Sequence, residues 1–402
     1  MSCKLNDVCE LIVDCPHSTE PDEGDGYPII RTPNIGAGYL DLEGVQRVSR
    51  AAYDRRNIRA VPRPNDLILA REAPAGNVGI IREGMEVCLG QRTVLIRPNA
   101  EKVSPLFLSY YLNAPKQRHA LLSNSNGATV SHVNMPIIRN LVIELPDRET
   151  QDRIAGVLSA YDELVENNRR QIKLLEEAAQ RLYREWFIDL KFPGHETTPI
   201  HDGLPEGWGC GTLLDLADTV RGCSYSSDEI MRGEKTLINL GNLTPFGGFR
   251  SGYEKPFSGK SREDQMVAKG DVVMGLTEQS IGLAGYAALL PTVPGGSAIS
   301  ADLVKIVPKE GVPAEFVYAI LRYGRLSELV SPLANGTKIK HLRPQSLSRV
   351  ATQIPSIELM QRYAVVVCPA YEQIDVCQQQ IAAAREARDR LLPKLMSGEI
   401  EV

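Results

Sequence analysis

The chain has 402 residues, 43% of them hydrophobic and 24% charged, with a formal net charge of −5. That length suits two or three domains, and the mixture is that of an ordinary globular protein. No apolar run reaches the ~18 residues of a membrane span and the first residues carry no signal-peptide pattern, so a cytoplasmic protein with no membrane partner is expected.

The first ~145 residues are rich in short β-type runs separated by Gly, Pro and Asn. These runs are Tyr27-Pro28-Ile29-Ile30, Asp66-Leu67-Ile68-Leu69, Val78-Gly79-Ile80-Ile81, Thr93-Val94-Leu95-Ile96 and Leu141-Val142-Ile143, with one helix at 105–112 between them. Cys9, Cys15 and His17 lack the paired spacing of a zinc site, and none of the eight cysteines forms a CxxC pair, so they read as reduced thiols. Arg47, Arg50, Arg55, Arg56, Arg59 and Arg63 form a basic stretch. It reads equally as a solvated surface helix or as phosphate contacts, since binding follows local patches rather than net charge.

From residue 151 the pattern changes. Ile154, Leu158, Tyr161, Val165, Asn168, Ile172, Leu175, Ala179, Leu182 and Trp186 alternate spacings of four and three. That is a coiled-coil seam on a helix of 151–187, ~55 Å long, in which Asn168 is the one polar position and can fix register. After this helix the chain repeats itself at offsets of 205 to 209 residues. Leu5-Asn6-Asp7-Val8 matches Leu213-Leu214-Asp215-Leu216, and Asn34-Ile35 matches Asn242-Leu243. Asp66-Leu67-Ile68-Leu69 matches Asp271-Val272-Val273-Met274, Asn126-Gly127 with His132 matches Asn335-Gly336 with His341, and Leu145-Pro146 matches Ile354-Pro355. Solenoid units run only ~20–50 residues, so this is a duplicated domain and implies a pseudo-two-fold molecule.

The second module shows strands at 270–274 and 303–307 and a helix at 313–321. A second seam follows in Ala370, Ile374, Cys377, Ile381, Ala384, Arg388, Leu391 and Leu395. Pro369 stands just before it, and an interior Pro costs about 3 kcal/mol, so this long helix is expected to begin near Pro369 after a shorter turn. The expected architecture is α+β: modules at 1–148 and 191–356, and helical regions at 149–190 and 357–402 that pair as an antiparallel coiled coil.

The sequence contains no GxxxxGK[ST], GxSxG or HExxH motif, no FxGxG cofactor loop and no Asn/Asp-Pro-Pro-Tyr/Phe tetrapeptide. A non-catalytic chain with no cofactor or metal of its own is expected. Its loops suit a reader of DNA, because Arg, Asn and Gln make bidentate contacts to base edges, whereas hydroxyl and basic groups suit phosphates. Candidate contacts in the first module are Arg31, Asn34, Arg47, Arg50, Arg71, Asn77, Arg92, Asn126, Thr129 and His132. In the second they are Asn239, Asn242, Thr277, Gln279, Ser280, Asn335, Thr337, Lys338, Lys340 and His341. Arg71, directly after a strand, is expected to read a base. Divergent loops on one repeated frame would read two unrelated half-sites. A coiled-coil scaffold that joins proteins without reading DNA is the alternative.

Several motifs carry a resemblance across nearly the whole chain. They are Asp14-Cys15-Pro16-His17-Ser18-Thr19, Ile30-Arg31-Thr32-Pro33-Asn34-Ile35, Arg71-Glu72-Ala73-Pro74 and Cys88-Leu89-Gly90-Gln91-Arg92-Thr93. Arg184-Glu185-Trp186-Phe187-Ile188-Asp189, Leu204-Pro205-Glu206-Gly207-Trp208 and the tail Leu391-Leu392-Pro393-Lys394-Leu395-Met396-Ser397-Gly398-Glu399-Ile400 complete the set. With these the chain resembles the specificity subunits of type I restriction–modification systems. The resemblance implies that each module is a target recognition domain for half of a bipartite double-stranded DNA site. It implies that the helices bind two methyltransferase subunits, to which motor-nuclease restriction subunits add. S-adenosylmethionine, ATP and magnesium would be used by those partners.

Overall fold

The computed structural model describes residues 2–42, 44–72, 75–123, 132–244, 247–278, 284–324, 326–330, 333–334 and 340–402. The first module contains β1 (Ser2–Lys4), β2 (Cys9–Asp14), β3 (Tyr27–Ile30), β4 (Arg47–Val48), α1 (Arg50–Arg56), β5 (Leu67–Ala70) and β6 (Val78–Ile80). It continues with β7 (Cys88–Leu89), β8 (Thr93–Pro98), α2 (Pro105–Asn113), α3 (Pro115–Ser123), α4 (Met135–Arg139) and β9 (Val142–Glu144). The long helix α5 (Arg148–Tyr183) follows, with β10 (Ile200–His201) and β11 (Leu204–Pro205) after it. The second module contains β12 (Gly209–Thr212), α6 (Leu213–Leu216), β13 (Ala217–Arg221), β14 (Ile230–Ile238), β15 (Lys255–Phe257), β16 (Val272–Gly275) and β17 (Thr277–Glu278). It ends with β18 (Ala287–Leu289), β19 (Ser297–Ile299), β20 (Leu303–Pro308), α7 (Ala314–Tyr323), α8 (Leu326–Val330), β21 (Lys340–His341) and β22 (Ala351–Ile354), before the second long helix, α9 (Ile357–Ser397).

By contacts the chain forms two compact units, residues 1–165 with 383–402 and residues 166–382. Each unit therefore takes its module together with one stretch of each long helix.

In the first unit a four-stranded sheet runs β2-β8-β5-β6, and a three-stranded sheet runs β4-β3-β7 with β3 parallel to β7. All four residues of β5 are buried. Leu67 and Leu69 face a cluster with Val94, Ile96, Phe107 and Leu108, whereas Ile68 and Ala70 face Ile30, Leu89 and Leu95. A central strand covered on both faces has to be an unbroken apolar run, which is how it reads in the sequence. α2 begins with Pro105 in its first turn, where the missing N–H costs nothing, and stops at Asn113 because Ala114, before Pro115, is extended.

The second unit repeats this plan, with sheets β13-β20-β16-β18 and β15-β14-β19, and β14 parallel to β19. Val272 and Met274 face the cluster of α7, and Val273 faces the opposite cluster with Ile238 and Ile299. The correspondence reaches single bonds. Lys4 N donates to Asp7 Oδ2 at 2.9 Å, and Thr212 N donates to Asp215 Oδ2 at 2.7 Å.

Every seam position read from the spacing on α5 and α9 is buried or half-buried. In the first unit the two helices touch in antiparallel sense. Asp162 of α5 binds Arg388 of α9 at 2.6 Å, while Ile154, Ala155 and Leu158, earlier in α5, share a core with Leu395, later in α9. Arg388 also explains a charge within an apolar stripe, since Asp162 in turn accepts a hydrogen bond from Tyr110 of α2. In the second unit Tyr363 of α9 packs on Tyr183, Trp186 and Phe187 and its Oη donates to the Ala179 carbonyl at 3.5 Å. The helices thus pair with each other and also pack on the modules.

The expected break at Pro369 is not there. α9 is a single helix of 41 residues that begins at Ile357, twelve positions before Pro369. Pro369 is exposed, so the carbonyl it leaves unbonded, that of Val365, lies on the outer face, where Val365 is 74% exposed and water can bind. On the inner face Leu359, Met360, Tyr363 and Val367 are buried, and their packing offsets the ~3 kcal/mol an interior Pro costs. α5 starts at Arg148 and closes with a π-helical turn, Arg184–Ile188, which carries the buried Trp186 and Phe187.

Candidate nucleic-acid interface

The strand directions gather chain ends at one end of each module. In the first unit β2 and β5 finish, and β8 begins, at the same end, because Asp14 pairs with Val94 and Ala70 with Thr93. β3 and β7, parallel to each other, finish there too, since Gly90 N donates to the Ile30 carbonyl at 2.7 Å. The residues at these strand ends are Asp14, Arg31, Arg71, Glu72 and Arg92. The segment after α3 returns to this end at His132, where Val133 N donates to the Arg71 carbonyl at 3.0 Å.

These side chains form one charged network. Arg71 is 7% exposed and bonds Val133 O at 2.8 Å, Asp14 Oδ2 at 2.6 Å and His132 Nε2 at 2.7 Å. Guanidinium only donates, so His132 accepts through Nε2 and its Nδ1 proton is donated to Glu72 Oε1 at 2.9 Å. Glu72 also binds Arg92 Nε at 2.8 Å. Arg92, with its side chain 60% exposed, and His17, beside Asp14 at 3.3 Å, face outward at this end.

Register identifies the matching positions in the second unit. Arg221 pairs with Val304 as Asp14 pairs with Val94, and Gly275 pairs with Leu303 as Ala70 pairs with Thr93. Leu342 N donates to the Leu276 carbonyl at 2.7 Å, as Val133 does to Arg71. His341 therefore stands where His132 stands, but its surroundings differ. Thr277 replaces Glu72, Asp302 replaces Arg92, Leu276 replaces Arg71 and Arg221 replaces Asp14. Thr277 is buried, donates to Asp302 Oδ1 at 2.7 Å and lies 3.1 Å from His341 Nδ1. Lys340 is exposed on β21, opposite Glu278 of β17.

The structure thus brings Arg31, Arg71, Arg92 and His132 to one end of the first module, and Asn239, Thr277, Lys340 and His341 to the same end of the second. It gives several of them inward roles. Arg71 has each guanidinium nitrogen engaged within the protein and presents no edge to a base, contrary to expectation. Asn34 Oδ1 accepts from Arg31 N at 3.1 Å, closing a turn. Asn242 closes the same turn, accepting from Asn239 N at 3.0 Å and donating to the Arg250 carbonyl at 3.0 Å, and it is wholly buried. Asn77 turns its amide to the Ile35 carbonyl at 2.9 Å.

In the basic stretch Arg50, Arg55, Arg59 and Arg63 are exposed and Arg47 is half-buried, yet part of it bonds inward. Arg56 is buried, with Nη1 on the Ser18 carbonyl and Nη2 on the Pro16 carbonyl at 2.7 and 2.9 Å, and Arg59 binds the Asp14 carbonyl at 3.0 Å. Together they fasten the segment that follows β2. Arg47, opposite Pro28 at the start of β3, and Arg50, against Tyr27 and Tyr53, lie at the other end of that strand. Asn126, Thr129, Gln279, Ser280, Asn335, Thr337 and Lys338 lie outside the described residues.

Sequence reasoning missed Asp14, Glu72, Arg221, Asp302, Arg250 and Tyr253. The repeat was a usable signal for Asp14, Arg221 and Asp302, because it places acid opposite base at those matching positions. Among the described residues no three His, Cys, Asp or Glu side chains gather as a metal site would, and no helix is long and apolar enough to cross a membrane.

Residues 1–177 match the family model described as the type I restriction modification DNA specificity domain. The chain is 27% identical to the type I restriction enzyme MjaIX specificity subunit of Methanocaldococcus jannaschii, over 99% of this chain and 93% of that one. It is 23% identical to the HindI specificity subunit of Haemophilus influenzae, over 76% of this chain and 80% of that one. Its fold is similar to the crystal structure of a type I restriction–modification S subunit from M. genitalium, with a TM-score of 0.56 at 14% identity, covering 98% and 95% of the two chains.

Proposed function

We propose that the chain is a specificity subunit of a type I restriction–modification system, as the match of residues 1–177 and the 27% identity to a specificity subunit support, and that its two modules read the two halves of a bipartite, asymmetric DNA site. The pair of sheet ends carries this reading. One frame is built twice, and the positions at its strand ends hold Asp14, Glu72 and Arg92 in one unit and Arg221, Thr277 and Asp302 in the other. Two equal ends would suit a palindrome, as symmetric dimers do, whereas unequal ends suit two unrelated half-sites.

In this reading the chain is non-catalytic and uses no cofactor. α5 and α9 dock two methyltransferase subunits, and motor-nuclease subunits join them for restriction. S-adenosylmethionine, ATP and magnesium are used by those partners. Leu174, Val365 and Val366, apolar and exposed on the long helices, support a docking role.

The test is binding of the full chain, with its methyltransferase subunits, to duplex DNA across a salt series. A reader loses affinity log-linearly as phosphate contacts are screened, and retains a preference for one sequence over random DNA. A chain that gathers its partners yet binds all duplexes alike is a coiled-coil scaffold instead.

A further inference from the structure

We propose that Arg250, stacked on Tyr253, is a base-reading residue of the second module and sets a guanine preference at one position of its half-site. The proposal rests on the DNA-reading function above and names one residue that performs it.

Arg250 follows the turn at the end of β14, after Leu243 bridges Phe249, and its N–H donates to the Asn242 carbonyl at 2.8 Å. The guanidinium carbon lies 3.9 Å from the centre of the Tyr253 ring. Nε and Nη2 donate sideways to the Gly241 carbonyl at 3.3 and 3.1 Å. The platform is itself held. Asn239 donates to the Tyr253 carbonyl at 2.7 Å and accepts from Gly241 N at 2.9 Å. Both Arg250 and Tyr253 are exposed.

The side fork of the guanidinium is thus occupied, and the end fork, Nη1 with the remaining Nη2 hydrogen, meets none of the described residues. Two parallel donors held flat on an aromatic ring match the O6 and N7 acceptors of guanine. Holding them in place beforehand lowers the ordering cost of binding. Charge points the same way. Arg71, Arg92, Arg322 and Arg388 each have a carboxylate, whereas the nearby Glu254 accepts from Gly252 N at 2.6 Å.

The repeat separates base reading from backbone binding. In the first module the same place is held by Asp41, whose N–H donates to the Asn34 carbonyl at 2.8 Å after Ile35 bridges Leu40. A phosphate contact would be needed equally by both modules. A reversal of charge at one matching position fits a place where the two modules meet different bases.

The experiment selects bound sequences from a random duplex library with the full chain and with its Arg250→Ala and Arg250→Lys variants, each checked for a cooperative thermal transition. The parent is expected to give two half-sites. Both variants are expected to lose about 10-fold or more of the guanine discrimination at one position of one half-site, with the other half-site unchanged. Lysine fails as well, because an ammonium has no planar fork. An unaltered base profile in folded Arg250→Ala, or a uniform loss across all sequences with a smaller salt slope, overturns the proposal. If the parent itself shows no preference, the DNA-reading function fails, and the proposal with it.

Discussion

Arg71 bonds Val133, Asp14 and His132, and its neighbour Glu72 bonds His132 and Arg92. Arg71→Ala strands a half-buried carboxylate oxygen and a carbonyl, so the first unit is expected to lose ~2 kcal/mol of stability in urea unfolding. Base preference in the folded fraction is expected to stay as it was; a relaxed preference at unchanged stability would show that Arg71 faces DNA. In the second unit, Asp375 is 4% exposed. Burial opposes its charged form, but Lys269 at 2.6 Å, the Gln379 amide, and the N–H and hydroxyl of Thr292 outweigh burial and hold the carboxyl below its usual value. A depressed carboxyl contributes stability above the ordinary value of ~3.9 and loses it as pH falls through the lower folded value. Asp375→Asn is therefore expected to lower the urea midpoint at pH 6, with the gap from the parent closing below about pH 4. A gap constant down to pH 3 would count against this. Residue type and spacing exposed Asn34 and Asn242 as matching positions, but not their direction. An Asn that closes a turn and an Asn that reads adenine have the same composition and differ only in where the backbone aims them.

Among the elements, the long helices were readable because a seam of alternating threes and fours has one physical explanation, a buried stripe on a helix. The central strands β5 and β16 were readable as apolar runs. Pro369 misled because its cost is local while the compensation is tertiary, from Tyr363 and Val367 on the opposite face, and no local rule contains that term. Part of the basic stretch likewise makes tertiary contacts that no local rule contains. Arg56 and Arg59 bind carbonyls of a segment some forty residues earlier in the chain. The Tyr110–Asp162–Arg388 junction, which joins α2, α5 and α9, yields a prediction at this scale. Arg388→Ala alone is expected to cost ~3 kcal/mol, because it leaves the largely buried Asp162 with only the Tyr110 hydroxyl, whereas Asp162→Asn is expected to cost less, since Arg388 keeps Asp389. Asp162→Leu with Arg388→Met is expected to lie much closer to the parent, since an apolar pair needs no partner. A double variant that loses as much as the two single variants added together, measured by denaturant unfolding, would mean that the pair is not coupled.

Over the whole molecule, duplication was the most informative feature of the sequence, and it holds down to matching strand registers and matching turns. The grouping of residues 383–402 with the first module was less evident, because it depends on which stretch of α9 meets which stretch of α5. The identities at the strand ends are where the two copies part. Asp14 corresponds to Arg221, Arg92 to Asp302 and Asp41 to Arg250. The most direct measurement is a map of methylated adenines in DNA from cells that carry the chain with the methyltransferase subunits proposed to bind it. Two unequal modules held apart should give one motif made of two short, unrelated sequences separated by a fixed gap. A palindrome, a single uninterrupted motif, or methylation without any motif would contradict it.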